Sequence, residues 1–178
     1  MMKKKMTVLL IALGVLCVLT GVFFLVKNRS AAYEESQKTK YDTLFDLTAN
    51  KIARIEWETS GGEKFAFARE NGTWKYEYDE TISVDQEAAN LLASGMTGVS
   101  VYQVIPDVTD LSRYGLDAPA YRISVTDRDG STTTVLIGDN NETAGSVYAV
   151  YEGETGTVYS VQPSIKAAVE KKLSDFSG

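Results

Sequence analysis

Along this chain the apolar positions follow three patterns in succession. Thr7 to Val26 is an uncharged run of 20 residues. As a helix it would be about 30 Å long, at about 1.5 Å per residue, which is enough to cross a bilayer core. From Asn28 to about Thr43 the pattern dissolves into mixed charge (Glu34, Glu35, Lys38, Lys40) with no apolar face wide enough to pack. That predicts a stalk or a frayed helical extension. From Leu44 onward the apolar positions alternate in short bursts broken by glycine, asparagine and aspartate, the pattern of antiparallel strands and tight turns.

The bursts predict strands over Ile52 to Glu58, Lys64 to Arg69 and Thr73 to Tyr78, with Asn71-Gly72 as the strongest hairpin signal in the chain. Trp74, Tyr76 and Tyr78 then share one face of the third strand, and Phe65 and Phe67 share one face of the second. Ser83, with Gln86 three residues on, reads as a capping box that opens a helix with apolar positions Ala88, Leu91, Leu92 and Met96. A fourth strand runs from Val99 to Ile105. Further strands are expected over Tyr121 to Thr126, Thr132 to Ile137, Ser146 to Tyr151 and Thr157 to Val161, with Gly138 to Gly145 as a loop. A closing helix runs from Ser164 to Phe176 on the stripe Ile165, Val169, Leu173 and Phe176. Strands followed by a helix, twice, make an α+β fold with antiparallel sheets and one helix per half, the β-rich halves covering about 44–105 and 120–178. The pattern leaves open whether the halves form one sheet or two, and no residue identity between them supports a duplication.

Between the halves stands Asp110-Leu111-Ser112-Arg113-Tyr114-Gly115-Leu116-Asp117-Ala118-Pro119. Asp110 is suited to cap a single helical turn, Gly115 to close it in the left-handed conformation, and Pro119 to stop the helix resuming. In a Schellman closure Leu116 and Leu111 meet, so the turn is expected to be a buried corner.

Charge changes the picture at the N-terminus. Residues 1 to 29 carry Lys3, Lys4, Lys5, Lys27 and Arg29 and no acid, whereas residues 30 to 178 carry 13 basic against 24 acidic side chains, hence −11. Three lysines before the apolar run keep the N-terminus in the cytoplasm. The expected plan is a cytoplasmic tip and signal-anchor (1–29), with residues 7–26 in the lipid bilayer, then a stalk (30–43) and an extracytoplasmic body (44–178). Two alternatives fit less well. Ser30-Ala31-Ala32 resembles a signal-peptidase site but follows a full-length span, and Cys17 lies in mid-run behind Gly14-Val15-Leu16, without the small residue that lipidation signals place before the cysteine. The acidic body argues against a nucleic-acid partner.

Candidate chemistry is sparse. The chain has no histidine and one cysteine, inside the apolar run, which removes the usual general base, thiol catalysis and cysteine-type zinc sites. No cofactor is expected. Asp127-Arg128-Asp129-Gly130 resembles a fragment of a calcium loop but lacks the later ligands and reads as hairpin chemistry. Asp139-Asn140-Asn141-Glu142 gathers four oxygen-bearing side chains in an expected loop, making Asp139 and Glu142 ligand candidates or, more remotely, the pair of a carboxylate hydrolase. Trp74 and Tyr76, on one strand face, are candidates for a carbohydrate or peptide platform, against their ordinary role as core.

Residues 44 to 176 resemble a bacterial domain-of-unknown-function family, number 4340. The resemblance rests on Ile52-x-x-Ile55, Gly72-x-Trp74, the stretch Asp110-Leu111-x-x-Tyr114-Gly115-Leu116-Asp117-x-Pro119, Ile137-Gly138, Val147-Tyr148 and Val158-Tyr159-x-Val161. It implies a membrane-anchored, extracytoplasmic protein with no catalytic residues to carry over, acting as an accessory in an envelope or transporter-type complex. The leading expectation is therefore a non-catalytic docking module. An envelope carbohydrate- or peptide-binding module is the alternative.

The topology is directly testable. In a Cys17→Ser background, a cysteine introduced by Ser131→Cys is expected to react with an impermeant thiol reagent in intact cells. Labelling only after lysis would reverse the orientation.

Overall fold

The Asn71-Gly72 pair turns as its composition demands, with φ of +50° and +86°, and around it the first strands form a meander. β1 (Ile52–Thr59), β2 (Lys64–Glu70) and β3 (Thr73–Tyr76) pair antiparallel. The structure is a computed structural model that describes residues 43–178. The expected membrane span and all but the last residue of the stalk lie outside the described residues. Within them no helix is long and apolar enough to cross a membrane. After β3 come helix α1 (Gln86–Thr97), β4 (Val101–Pro106), the corner, β5 (Tyr121–Asp127), β6 (Thr132–Asn141), β7 (Ser146–Tyr151), β8 (Thr157–Val161) and the short helix α2 (Ser164–Val169).

The two halves share a single sheet of eight strands in the order β3-β2-β1-β5-β6-β7-β8-β4. The seam is the antiparallel pairing of β1 with β5, which sets Ile55 opposite Val125 and Trp57 opposite Ile123. The strand that ends the first half does not stay there: β4 pairs with β8 at the far edge, Val104 opposite Tyr159. Helix α1 carries the chain from one edge strand to the other, lying across the sheet as its apolar stripe requires.

Directly opposed residues share a face, so the registers sort the sheet into two faces. One carries Ile55, Trp57, Phe67, Ile123, Val125, Val135, Ile137 and Ala149, all buried, and is covered by the helices. Trp57 stacks on Phe65 and Phe67 with ring centroids 4.9 and 5.8 Å apart, and Phe176 closes over Phe67 at 4.8 Å. Such aromatic clusters supply much of a core's apolar burial. The opposite face is solvated over β1 and β5, where Arg54 is held by Glu77 at 2.8 Å and by Glu56, and Arg122 by Glu152 at 2.7 Å. Over β6 to β8 that face is instead covered by the corner.

Several elements differ from the sequence expectation, each because of a distant partner. The first helix is capped by Asp85, whose carboxylate accepts from the Glu87 and Ala88 N–H groups; Ser83 is not the cap. Val84 bridges Ser177, and the Asp85 N–H donates to the Phe176 carbonyl at 2.8 Å, which holds 83–85 extended. Gln86, freed from a capping box, donates to the Trp74 carbonyl and accepts from the Trp74 N–H. The helix buries Ala89, Leu92, Ala93 and Met96, and Leu91 is 60% exposed. β6 runs on through Asp139 to Asn141, where a loop was expected. A bulge between Ile137 and Asn140 absorbs one extra residue and lets Asn140 and Asn141 pair with Val147 and Ser146. The closing helix ends at Val169, and a 3-10 turn over Leu173–Phe176 follows from an extended Lys172; this break delivers Phe176 to Trp57 and Phe67.

Gly95, in mid-helix, faces α2: a Cβ there would lie 3.7 Å from the Ala168 Cβ, an ordinary contact. Gly95→Ala is therefore expected to stabilise the body by about 0.5–1 kcal/mol through reduced unfolded-state freedom, read as a raised midpoint in urea. A lowered midpoint would mean that the two helices have no room for a methyl group.

Candidate functional site

The corner forms as its residues dictate. Asp110 accepts from the Ser112 N–H at 3.0 Å and from its hydroxyl at 2.6 Å, and these bonds, the hydroxyl's first, hold its carboxyl below the usual range. Gly115 closes the turn at φ +65°, and the Leu116 and Gly115 N–H groups donate to the Leu111 and Ser112 carbonyls, the paired bonds of a Schellman closure. Leu116 is 2% exposed and packs with Val150 and Val158, while Leu111, Tyr114 and Tyr148 wall the cluster. The seat of the corner is the β6 bulge. A Cβ on Gly138 would run into the Tyr114 carbonyl, and one on Gly115 would come within 2.5 Å of the Asp139 carboxylate.

The aromatic candidates lie inside the fold. Trp74 is 2% and Tyr76 7% exposed, and Trp57 is fully buried. Trp74 Nε1 donates to Asn90 Oδ1 at 3.0 Å, while the Arg69 guanidinium lies 4.4 Å over its ring. None of these rings offers a flat surface to a ligand. Tyr78 stands beyond the end of β3 and is half-exposed, edge-on to Tyr76.

The two carboxylate candidates have different surroundings. Asp139 sits over Gly115 as part of the corner's seat. Glu142 lines a cavity of about 330 Å³ between the β6–β7 turn and α2, together with Asn140, Ser146, Lys166 and Glu170. Lys166 Nζ donates to Asn140 Oδ1 at 3.1 Å across that cavity. The second carboxylate here is Glu170, 28 residues away in sequence, which no local motif announces. The arrangement sets one lysine, two carboxylates and two amides around a small polar cavity. Among the described residues no cluster of three or more acidic, cysteine or histidine side chains could hold a metal.

A family model described as Domain of unknown function (DUF4340) matches residues 24–119 and again 74–177. The chain belongs to this family. No curated protein and no solved structure matches the chain. The stretch shared by the two DUF4340 matches, 74 to 119, runs from the buried Trp74 through α1 and β4 to the corner's Pro119. Several of the residues that carried the resemblance form one physical assembly. Gly138 receives the corner, Tyr148 meets Tyr114 edge-on at 4.9 Å, and Val158 packs on Leu116. The sequence pointed to the corner correctly, but gave no sign that Gly138 was its seat.

Gly115→Val is accordingly expected to cost the body more than about 1 kcal/mol, because a β-branched residue is strained at positive φ and its Cβ meets Asp139. Thermal melts of residues 44 to 178 report it. An unchanged midpoint would show that the corner tolerates a side chain and does not depend on this contact.

Proposed function

We propose that this member of the DUF4340 family is a non-catalytic, membrane-anchored extracytoplasmic module that docks onto a protein partner in an envelope or transporter-type complex. The uncharged run of 20 residues and the lysines before it support the anchor. The observation that carries the docking is the state of the β4 edge. Antiparallel sheets guard their edges with charges, proline or short strands. At the other edge β3 is four residues long and presents Lys75, paired with Glu70. β4 is six residues, Val-Tyr-Gln-Val-Ile-Pro, guarded by a bulge at Tyr102 and by its closing Pro106 but by no charge, and among the described residues its strand partner is β8. Thr43 covers its start by bridging Ser100. From Val101 the outer backbone groups are unpaired among the described residues, and Tyr102 stands 53% exposed beside them. An extended segment of about six residues, roughly 20 Å long, would satisfy those groups by strand addition, with Tyr102 as an aromatic anchor.

The burial of Trp57, Trp74 and Tyr76 weighs against a carbohydrate platform, and the seating of Asp139 against the corner, outside the cavity that Glu142 lines, weighs against a carboxylate pair. The test is a photo-reactive residue in place of Tyr102 in intact cells. It is expected to capture a protein, with the yield falling several-fold when Gln103→Lys places a charge on the edge. Capture of envelope polysaccharide alone would favour the carbohydrate-binding reading, and glycan turnover abolished by Glu142→Gln would favour a hydrolase.

A further inference from the structure

Four of the eleven basic side chains of residues 44–178 are matched by an acid. Arg54 and Arg122 each hold a carboxylate at less than 3 Å, and Lys64 and Lys75 have acidic partners. Arg69 and Arg128 have no ion pair among the described residues, and they stand side by side. Together with Ala53, Asn71 and Gly72 they line a cleft of about 360 Å³ at one end of the sheet, and no acid lines it. The two arginines come from turns far apart in sequence: Arg69 lies just before the Asn71-Gly72 turn, and the exposed Arg128 sits in the β5–β6 turn, its N–H fixed to the Lys51 carbonyl at 2.9 Å. What opens the space between them is a bulge in β1. Ile52 pairs with Asp127 and Arg54 with Thr126, leaving Ala53 as the extra residue and the small floor of the cleft.

Arg69 is held ready. Its guanidinium lies on the Trp74 ring at 4.4 Å, and Nη2 donates to Asn90 Oδ1 at 2.6 Å, the same oxygen that Trp74 Nε1 engages. These contacts fix the plane of the fork but use one of its five donors. Nε is buried and has no acceptor, an arrangement that costs stability unless something else supplies one. Burial, and then the charge of Arg128, pull the Arg69 guanidinium below its usual pKa, so the two cations feel one another. Of the nearby acids, Glu70 is committed to Lys75 and the Asp127 carboxylate to the Asp129 and Ser131 N–H groups of its own turn, while Asp129 does not line the cleft.

We propose that this cleft binds a phosphoryl group borne on a larger molecule. Two guanidiniums without a carboxylate call for close to two negative charges, which a phosphate monoester carries near neutral pH and a single carboxylate does not. The planar fork of Arg69 suits bidentate contact with phosphoryl oxygens. The cleft has about ten times the roughly 30 Å³ share of a water molecule, so a bare phosphate ion leaves most of it unfilled. The site is local: it sits on a body, residues 44–178, of net −10, which disfavours long polyanions but not one small ester.

The experiment is calorimetric titration of the full chain in neutral detergent at low ionic strength with glycerol 3-phosphate, inorganic phosphate, succinate and monomeric dihexanoyl phosphatidic acid. One equivalent of glycerol 3-phosphate is expected to bind more tightly than inorganic phosphate, and to weaken as salt rises. Arg128→Gln removes an exposed turn side chain and is expected to weaken binding about tenfold or more, with an unchanged thermal midpoint. Arg113→Gln, on the corner, is expected to leave binding as it was. Tighter binding of the short-chain lipid would identify a lipid headgroup as the source, and tighter binding of glycerol 3-phosphate a soluble ester; both support the site. No binding, binding indifferent to Arg128→Gln, or succinate binding as tightly as the phosphate ester would overturn it. Because the cleft and the β4 edge are tested by different substitutions, one can fail without the other.

Discussion

Backbone meets backbone where the Tyr114 carbonyl rests on Gly138, with no side chain between them, and most of the second half of the molecule is arranged to allow this. The contact needs a glycine on β6, and a bulge there to angle the strand toward the corner. On the other side it needs a left-handed Gly115, so that the chain can turn and drop Leu116 onto Val150 and Val158. If either glycine acquired a side chain, Leu116 would lift away from its pocket. That face of β6 to β8 would then lose much of its cover among the described residues. The corner is thus less a linker between two halves than the lid of a second, smaller core.

The sheet is used unequally on its two faces. Its helix side concentrates rings at β1 and β2, where Trp57, Phe65, Phe67 and Phe176 stack in one cluster. The other side is divided between ion pairs over β1 and β5 and the corner's aliphatic cluster over β6 to β8. Because exposed ion pairs each contribute little, the first half is held mainly from the helix side. The crossing helix α1 matters for the same reason: it covers the aromatic cluster and carries β4 to the far edge. The two features offered for recognition, the β4 edge left open among the described residues and the neighbouring arginines, both follow from irregular connections. One is a strand displaced from its own half, and the other is a bulge that opens a gap between two turns.

What the chain determined by itself was whatever depended on neighbours within a few residues. The Asn71-Gly72 hairpin, the Asp110 cap and the left-handed Gly115 rest on local backbone preferences, and they stand where the residues placed them. Strand positions followed from alternation, because the period of two is a local property. Tertiary structure decided the rest. Ser83 lost its role as a helix cap to a pairing with the C-terminus, a partner more than ninety residues away. β6 outran its expected end because β7 offers hydrogen bonds past a bulge that no composition signals. The edge position of β4 came from strand order, on which alternation is silent. Arg69 and Arg128 read as ordinary turn and strand charges, since only the β1–β5 register sets them across one cleft without an acid between them. Local preferences act through bonds and turns the residue itself makes, whereas order, register and vacancy between side chains exist only once distant segments have met.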